Sequence, residues 1–409
     1  MKSCSLRRSA GRVGVAGLSL MALVAVGAAA PASATNSTDV GTVASQPAIA
    51  EQGSGTAEAD IPADVLKAIE QYLAAQDAVR VDPVVAERAG SGTRALSAVA
   101  GADDSAAGDA AAYAEAGLDI VESVTPNTEL SPSVVGEDGS VRVHADITTT
   151  VQSVEQGTSN VPEESSWTDE HIYKATPQPG GSYVVTNDVI VPPPSDGSVE
   201  GDVTPPEDVT DPLPEDESVL ERDPEEEAAG SIELFQSSTS GSATAAYAKK
   251  WTKANKLNTA YPDLPNDCAN FASQSLRAGG WDLKGGTNPR DTNNWHYNLT
   301  GPAGPSWTWS NSKTLYYYAK VRANWTKYNS VYSAKQGDLI FADWDPKGKA
   351  DGTLDHTMVV TGMKKTGSKN MPYISQKSSN RYNIPFSQSL KLAKDQGKTS
   401  MKFYALKHR

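Results

Sequence analysis

The sequence predicts an α+β protein in two parts: a small N-terminal module with a helix followed by an antiparallel sheet, and a larger C-terminal domain that is helix-rich first and strand-rich second. Three observations carry this: helix-spaced and strand-like runs lie in separate blocks, an acidic proline-rich stretch divides the chain, and the charge reverses across it. The 409 residues hold 36 Lys and Arg against 50 Asp and Glu, a net charge of −14. Residues 1–241 carry 11 basic and 40 acidic side chains (−29), whereas residues 242–409 carry 25 and 10 (+15) and no glutamate. At about 100–200 residues per domain, the length accommodates two domains with chain to spare. Two cysteines and five scattered histidines exclude a disulfide-stapled scaffold and a Cys-rich metal site, so neither metal nor cofactor is expected.

Residues 1–34 read as a secretory signal peptide. Arg7, Arg8 and Arg12 precede an apolar run from Val13 to Ala30, and Ala32-Ser33-Ala34 supplies small residues for cleavage. The run is too short and too rich in Gly and Ala for a transmembrane anchor, and no later run is long enough to span a bilayer. The expected location is therefore extracellular or on the cell wall. The Arg7-Arg8 pair leaves Sec and twin-arginine export both open. Export removes Cys4 and leaves Cys268 as a lone thiol, which points to a nucleophile or an intermolecular bridge, with an inert buried thiol as the plain alternative.

Residues 35–60 are small and polar, the composition of disorder. The non-catalytic module spans 61–191. Val65, Ile69, Leu73 and Ala74 have helical spacing within 62–78, and residues 89–110 are low in complexity. Strand patterns follow at 140–153, 166–176 and 182–191, the last after the Pro179-Gly180-Gly181 turn. His144 and His171 stand alone in these patterns and read as solvent-facing or satisfied in the core. The linker, 192–241, holds eight prolines and fourteen acidic residues between Pro192 and Gly230, with Arg222 its only base. It reads as a solvated spacer, with electrostatic contact to the basic domain as the second reading.

The C-terminal domain, 242–409, contains seven of the eight tryptophans. Ser242 is the expected cap of a helix with Tyr247, Trp251 and Ala254 on one face. A second helix starts near Asp267, and Ser312 is the expected cap of a third. Strands are expected at 337–343, 356–363, 371–377 and 402–407. In the second helix Asp267 is a good N-cap, which puts Cys268 in the first turn. There the helix dipole and unpaired N–H groups favour a thiolate, and the Cys268 N–H points where an oxyanion would form. Cys268, Phe271, Ala272, Ser275 and Leu276 share a face, and Gly279-Gly280 ends the helix. A thiolate needs an imidazole to protonate the leaving group; His356, at the mouth of an apolar strand, is the choice over His296 and His408. Trp295 and Trp344 are candidates for a substrate groove, with Trp307 and Trp309 beside them. Asp343, Asp345, Gly348, Asp351 and Gly352 are similar to a calcium loop, but Lys347 and Leu354 occupy ligand positions, so an EF-hand is rejected.

The set AYAKKW, DCANFASQSLRAGGW, GDLIFADW, DHTMVVTG and ISQKSSNRYN resembles a family of secreted bacterial amidase domains. That family is related to NlpC-type and CHAP-type cell-wall hydrolases, all variants of the papain-like cysteine fold. The resemblance covers most of residues 243–409. It implies a papain-like catalytic domain with Cys268 as nucleophile, His356 as base, and a polar residue on the next strand orienting the imidazole. Relatives read S-Q-H there; this chain has Ser375-Gln376-Lys377. Lysine has only donors, whereas Gln376 can accept the imidazole N–H, as can Ser375 or Asn380; Gln376 is the choice. The implied activity is hydrolysis of an amide or peptide bond, with peptidoglycan as a candidate substrate. The +15 charge suits anionic wall polymers, and no motif reads nucleic-acid bases. The rival readings are a non-catalytic wall-binding module that retains the fold and a cysteine acyltransferase.

Overall fold

The computed structural model describes residues 56–84, 102–126, 130–193, 239–297, 304–344, 350, 352–366, 369–398 and 400–408. The signal-peptide reading and most of the linker lie outside these residues. Two long strands organise the N-terminal segment: β4 (Val141–Glu155) and β5 (Glu163–Pro177). Strict alternation of buried and exposed residues along Val141, Val143, Ala145 and Ile147, continued by β-branched threonines, holds β4 extended. Each long strand serves two neighbours. β2 (Leu118–Val124) and β3 (Leu130–Val135) pair with opposite ends of β4, and β1 (Thr56–Ala59) pairs with β3. β6 (Tyr183–Val191) pairs with the far half of β5. Helix α1 (Ala63–Val81) lays Val65, Ile69, Tyr72 and Leu73 on this sheet. Helix α2 (Ala102–Glu115) begins inside the stretch that reads as low complexity and runs past its end, because Ala106, Asp109, Ala112 and Tyr113 all find a buried face.

The C-terminal segment begins with α3 (Gly241–Lys253), α4 (Cys268–Ala278), α5 (Trp307–Ser310) and α6 (Ser312–Tyr317), the last continuing into a π-turn over Tyr318–Arg322. Strands β7 (Thr326–Lys327), β8 (Leu339–Asp343), β9 (His356–Thr366), β10 (Lys369–Gln376) and β11 (Arg381–Pro385) follow, then α7 (Phe386–Asp395) and β12 (Lys402–Lys407). Two expected caps are displaced. Ser240, not Ser242, accepts the Ala243 N–H, and Asn311, not Ser312, accepts the Thr314 N–H. In both cases the helix proper starts earlier than its apolar spacing suggests.

The two segments share one antiparallel sheet, ordered β1-β3-β4-β5-β11-β10-β9-β8-β12-β7. The join is β5 with β11, where Trp167 pairs with Arg381 and Ser166 with Tyr382. One core crosses that join: Tyr113, Ile120 and Trp167 pack with Tyr373, Ile384 and Phe386. The opposite face of the C-terminal strands carries a second core, in which α4 contributes Cys268, Phe271, Ala272 and Leu276 against Leu339, Phe341 and Val359. Among the described residues no helix is long and apolar enough to cross a membrane.

Candidate active site

Cys268 is the first residue of α4 and is 1% exposed. Asp267 occupies the N-cap position, but its side chain caps nothing, which corrects the expected capping role. The reason is local competition: Asn270 donates its amide to Asp267 Oδ1 at 2.6 Å and to the Pro262 carbonyl at 2.8 Å, pulling the carboxyl sideways. The Asp267 N–H instead donates to Ser378 Oγ at 3.0 Å. This ties the start of α4 to the turn after β10, where Ser378 has a φ of +77°. Trp309 Nε1 donates to Asn270 Oδ1 at 2.6 Å, so the cysteine-bearing turn is braced from both sides.

Cys268 Sγ lies 3.4 Å from Ser312 Oγ, and Ser312 in turn accepts from Thr357 Oγ1 at 2.9 Å. Thr357 is next to His356 on β9. Strand alternation sends Thr357 and Val359 toward Cys268 and sends His356, Met358 and Val360 to the other face. Sulfur and imidazole therefore reach the mouth of β9 from its two sides. No hydrogen bond joins them among the described residues, and His356 Nε2 has no hydrogen-bond partner.

The imidazole stacks on Trp344, with ring centroids 4.9 Å apart and planes at 27°. It lines a cavity of about 20 Å³ together with Pro193, Gln376, Arg381, Gln396 and Lys398. Burial, and then the nearby Lys398 ammonium, push its pKa down to about 3, while Gln376 opposes the shift. The imidazole is thus neutral across the physiological range. Gln376 shares the face of His356, whereas Ser375 turns away and accepts the Asn383 N–H at 3.0 Å. Gln376 is close enough to favour a protonated ring, yet its Oε1 makes no hydrogen bond of normal geometry.

Lys377 follows the end of β10 and feels the charge of Asp267. Burial pushes it down to about 8, partly offset by Asp267. Burial likewise pushes the Asp267 carboxyl up to about 7, against the Asn270 hydrogen bond and Lys377. Trp295 is fully buried, packs edge-on to Trp281 at 5.0 Å and donates to Ser273 Oγ. The expectation that it lines a substrate groove is therefore corrected: its indole fills the core behind α4. Trp309 is equally buried. Trp344 stands beside the imidazole. Sequence reasoning named Ser312 only as a helix cap and missed Arg381 and Lys398; none of the three lies at a telling spacing from Cys268 or His356. Among the described residues no group of three His, Cys, Asp or Glu side chains is arranged to hold a metal ion.

Residues 238–404 match the family model described as "Putative amidase domain", which supports an amidase-like hydrolase domain. The chain is 30% identical over 135 residues to the uncharacterized protein YhbB of Bacillus subtilis (strain 168), covering 32% of this chain and 38% of that protein. It is 31% identical over 169 residues to the uncharacterized protein YjcM of the same organism, covering 39% of this chain and 36% of that one. The chain thus spans little more than a third of the length of these curated relatives. No solved structure matches it.

Proposed function

We propose that the domain hydrolyses an amide bond through a cysteine acyl-enzyme, with Cys268 as nucleophile and His356 as base. The observation that carries this reading is the thiol at the first position of α4, linked through Ser312 and Thr357 to the strand that His356 opens. As Sγ attacks the carbonyl carbon, its proton passes to His356 Nε2, an atom otherwise without a partner. The oxyanion develops beside the first-turn N–H groups of α4, which have no acceptor within their own helix. Collapse of the intermediate breaks the C–N bond, and His356 returns the proton to the departing amine. Water, deprotonated by the same imidazole, then cleaves the thioester to a free acid and regenerates the thiol. Gln376 orients the ring from its own face of the sheet.

The substrate proposed is an exported amide or peptide, with peptidoglycan as the leading case. The N-terminal charge pattern supports secretion, and the basic C-terminal domain suits an anionic wall. The near-complete burial of Cys268 favours one rival, a wall-binding module that keeps the fold without chemistry. Digestion of purified cell wall and of assorted peptides by the wild type and Cys268→Ala, read by fragment mass, separates the two. New amine–acid fragment pairs from the wild type alone are expected. Cleavage by neither protein, with Cys268 inert to iodoacetamide until denatured, refutes the enzyme.

A further inference from the structure

Neither Cys268 nor His356 lines a second cavity, of about 110 Å³, that lies between α1, β5 and α7. Most of the charges in its wall are engaged with one another. Asp109 Oδ2 accepts from Arg80 Nε, and its Oδ1 accepts from Lys391 Nζ and Gln388 Nε2. Lys391 Nζ also donates to Asp395 Oδ2 at 2.6 Å and to Ser105 Oγ at 3.1 Å, which uses its three donors. Both oxygens of Asp188 are taken, Oδ2 by the Tyr72 hydroxyl at 2.9 Å and Oδ1 by His171 Nδ1 at 2.7 Å. Asp169 Oδ1 accepts from Arg381 and Gln396. What remains is a small, balanced set. Among the described residues Asp169 Oδ2 and Asp395 Oδ1 accept no hydrogen bond, and Arg80 Nη2 and His171 Nε2 donate none. Burial lowers the His171 pKa, but Asp188 overcomes it and favours the imidazolium, in which Nε2 also carries a proton. Tyr173 is fully buried in the same wall and stacks on His171 with ring centroids 5.5 Å apart, yet its hydroxyl has no hydrogen-bond partner. A buried hydroxyl without a partner is costly, and in a cavity wall it marks a contact that an occupant makes.

We propose that this cavity binds a small zwitterion of the α-amino acid class, with its ammonium on Asp169 and Asp395 and its carboxylate on Arg80, His171 and Tyr173. Charge selects the class. A simple cation would leave the Arg80 and His171 donors unmet, and a simple anion would leave the two carboxylate oxygens unmet. A molecule carrying both charges answers the whole set. Size narrows the class further. At about 15–30 Å³ for each water-sized group, the cavity has room for about four to seven non-hydrogen atoms. Glycine and alanine fall inside that range, and a dipeptide falls above it. Asp395 comes from α7 and the other four contacts come from α1 and β5, so an occupant ties the two segments together. The site makes no use of Cys268 or His356 and is independent of the amidase reading.

The test titrates the full chain with glycine, L-alanine and D-alanine, by calorimetry and by thermal unfolding. Ethylamine and acetate serve as the cationic and anionic halves of the ligand, and glycylglycine as the oversized probe. At least one of the three amino acids should bind and, at about a hundredfold over its Kd, raise Tm by about 5 °C. The two halves and the dipeptide should each bind at least about tenfold more weakly. Tyr173→Phe removes a hydroxyl that has no partner in the fold, so the unliganded Tm should not fall, while affinity drops about tenfold. Asp395→Asn should weaken binding by a similar factor, with Lys391 still held by Asp109. The unliganded Tm of each variant shows that it is folded, and Tyr173→Phe keeps the test decisive if Asp395→Asn is not. Three results overturn the proposal: no binding by any of the amino acids, ethylamine or acetate binding as tightly as they do, or wild-type affinity in Tyr173→Phe.

Discussion

Asp109 gives the sharpest test of how firmly the N-terminal segment is built into the molecule. It sits on α2 with its side chain 2% exposed, and it accepts from Arg80 Nε of α1 at 2.8 Å. It also accepts from Lys391 Nζ and Gln388 Nε2 of α7, each at 2.8 Å. Asp109→Asn keeps the shape and removes the charge. Two buried cations then lose their shared partner, although Asp77 still holds Arg80 at 3.0 Å and Asp395 still holds Lys391 at 2.6 Å. Breaking a buried pair costs about 3–5 kcal/mol, and the surviving partners place this case near the lower bound. At about 2 °C per kcal/mol for a large domain, Tm should fall by about 6 °C. Pairing Asp109→Asn with Lys391→Met should recover part of the loss, because one stranded charge is gone. Tryptophan fluorescence and near-ultraviolet circular dichroism should show one transition moving as a whole, since the broken links join α1 and α2 to α7. A shift under about 1 °C, or a split in which an early transition moves alone, would refute the reasoning. Burial alone would raise the Asp109 carboxyl, but Lys391 and Arg80 hold it below its usual value. Its contribution is therefore complete above about pH 4 and disappears as pH falls through the lower folded value, an acid limb that the Asn variant should lack.

Three further outcomes follow from the same geometry. His171 Nδ1 lies 2.7 Å from Asp188 Oδ1, and although burial would push the imidazole down, Asp188 overcomes it and holds the pKa above normal. Its stabilisation is complete below about pH 6.5 and fades as pH rises through the folded value; His171→Gln should flatten unfolding free energy measured by denaturant from pH 6 to 9. Gly337 has a φ of +93° and its Cα faces the Gly241 backbone at the start of α3, so Gly337→Ala combines backbone strain with a clash. A loss of about 3 kcal/mol is expected by denaturant unfolding, and an unchanged midpoint would contradict the close approach. Gln376→Ala should lower kcat by about tenfold, within the range of a single orienting contact, with KM nearly unchanged; an equal rise in KM would instead mark Gln376 as a substrate contact.

The sequence made α4 legible because every signal there is local: apolar residues at Cys268, Phe271, Ala272 and Leu276, then Gly279-Gly280 as the stop. The strands opened by Leu339, His356 and Lys402 were legible for the same reason. The role of Asp267 was not, because its capping oxygen is captured by Asn270 inside the helix, a contest that composition does not weigh. The helix over 102–115 was hidden by its alanines, which carry no moment until α7 and the sheet supply a buried side. Least legible was the β5–β11 join. Trp167 and Arg381 meet through a register that no neighbouring residue announces, and the charge reversal across the linker argues for separation. That reversal describes surfaces well and the interface poorly. Where the segments meet, the acidic half supplies Asp109 and Asp169, and the basic half supplies Lys391 and Arg381. The global polarity is thus itself the complementarity that joins them.

The state of the imidazole bears on how the cysteine can act. A ring held near pKa 3 does not share a resting ion pair with a thiolate, because a buried imidazolium beside Lys398 and Arg381 costs too much. In the proposed mechanism the imidazole therefore acts as a neutral base that takes the thiol proton when a carbonyl arrives. Transfer to Nε2 then coincides with attack, when charge moves onto the substrate oxygen and solvent is excluded. This ordering fits a site in which Cys268 and His356 approach one strand end from two faces. Catalytic hydrogen bonds often close only when substrate is bound. It also gives the two low-pKa lysines distinct tasks. Lys398, over the Trp344 ring on which His356 stacks, opposes protonation of the imidazole. Lys377 lies near Asp267 at the root of α4, and each offsets part of the other's burial shift. A histidine at position 377 would lose its positive charge near neutrality, whereas lysine at about 8 keeps most of it. With lysine where the resemblance has the histidine of S-Q-H, the position keeps a cation near Asp267, and in the proposed mechanism orientation of the imidazole falls to Gln376.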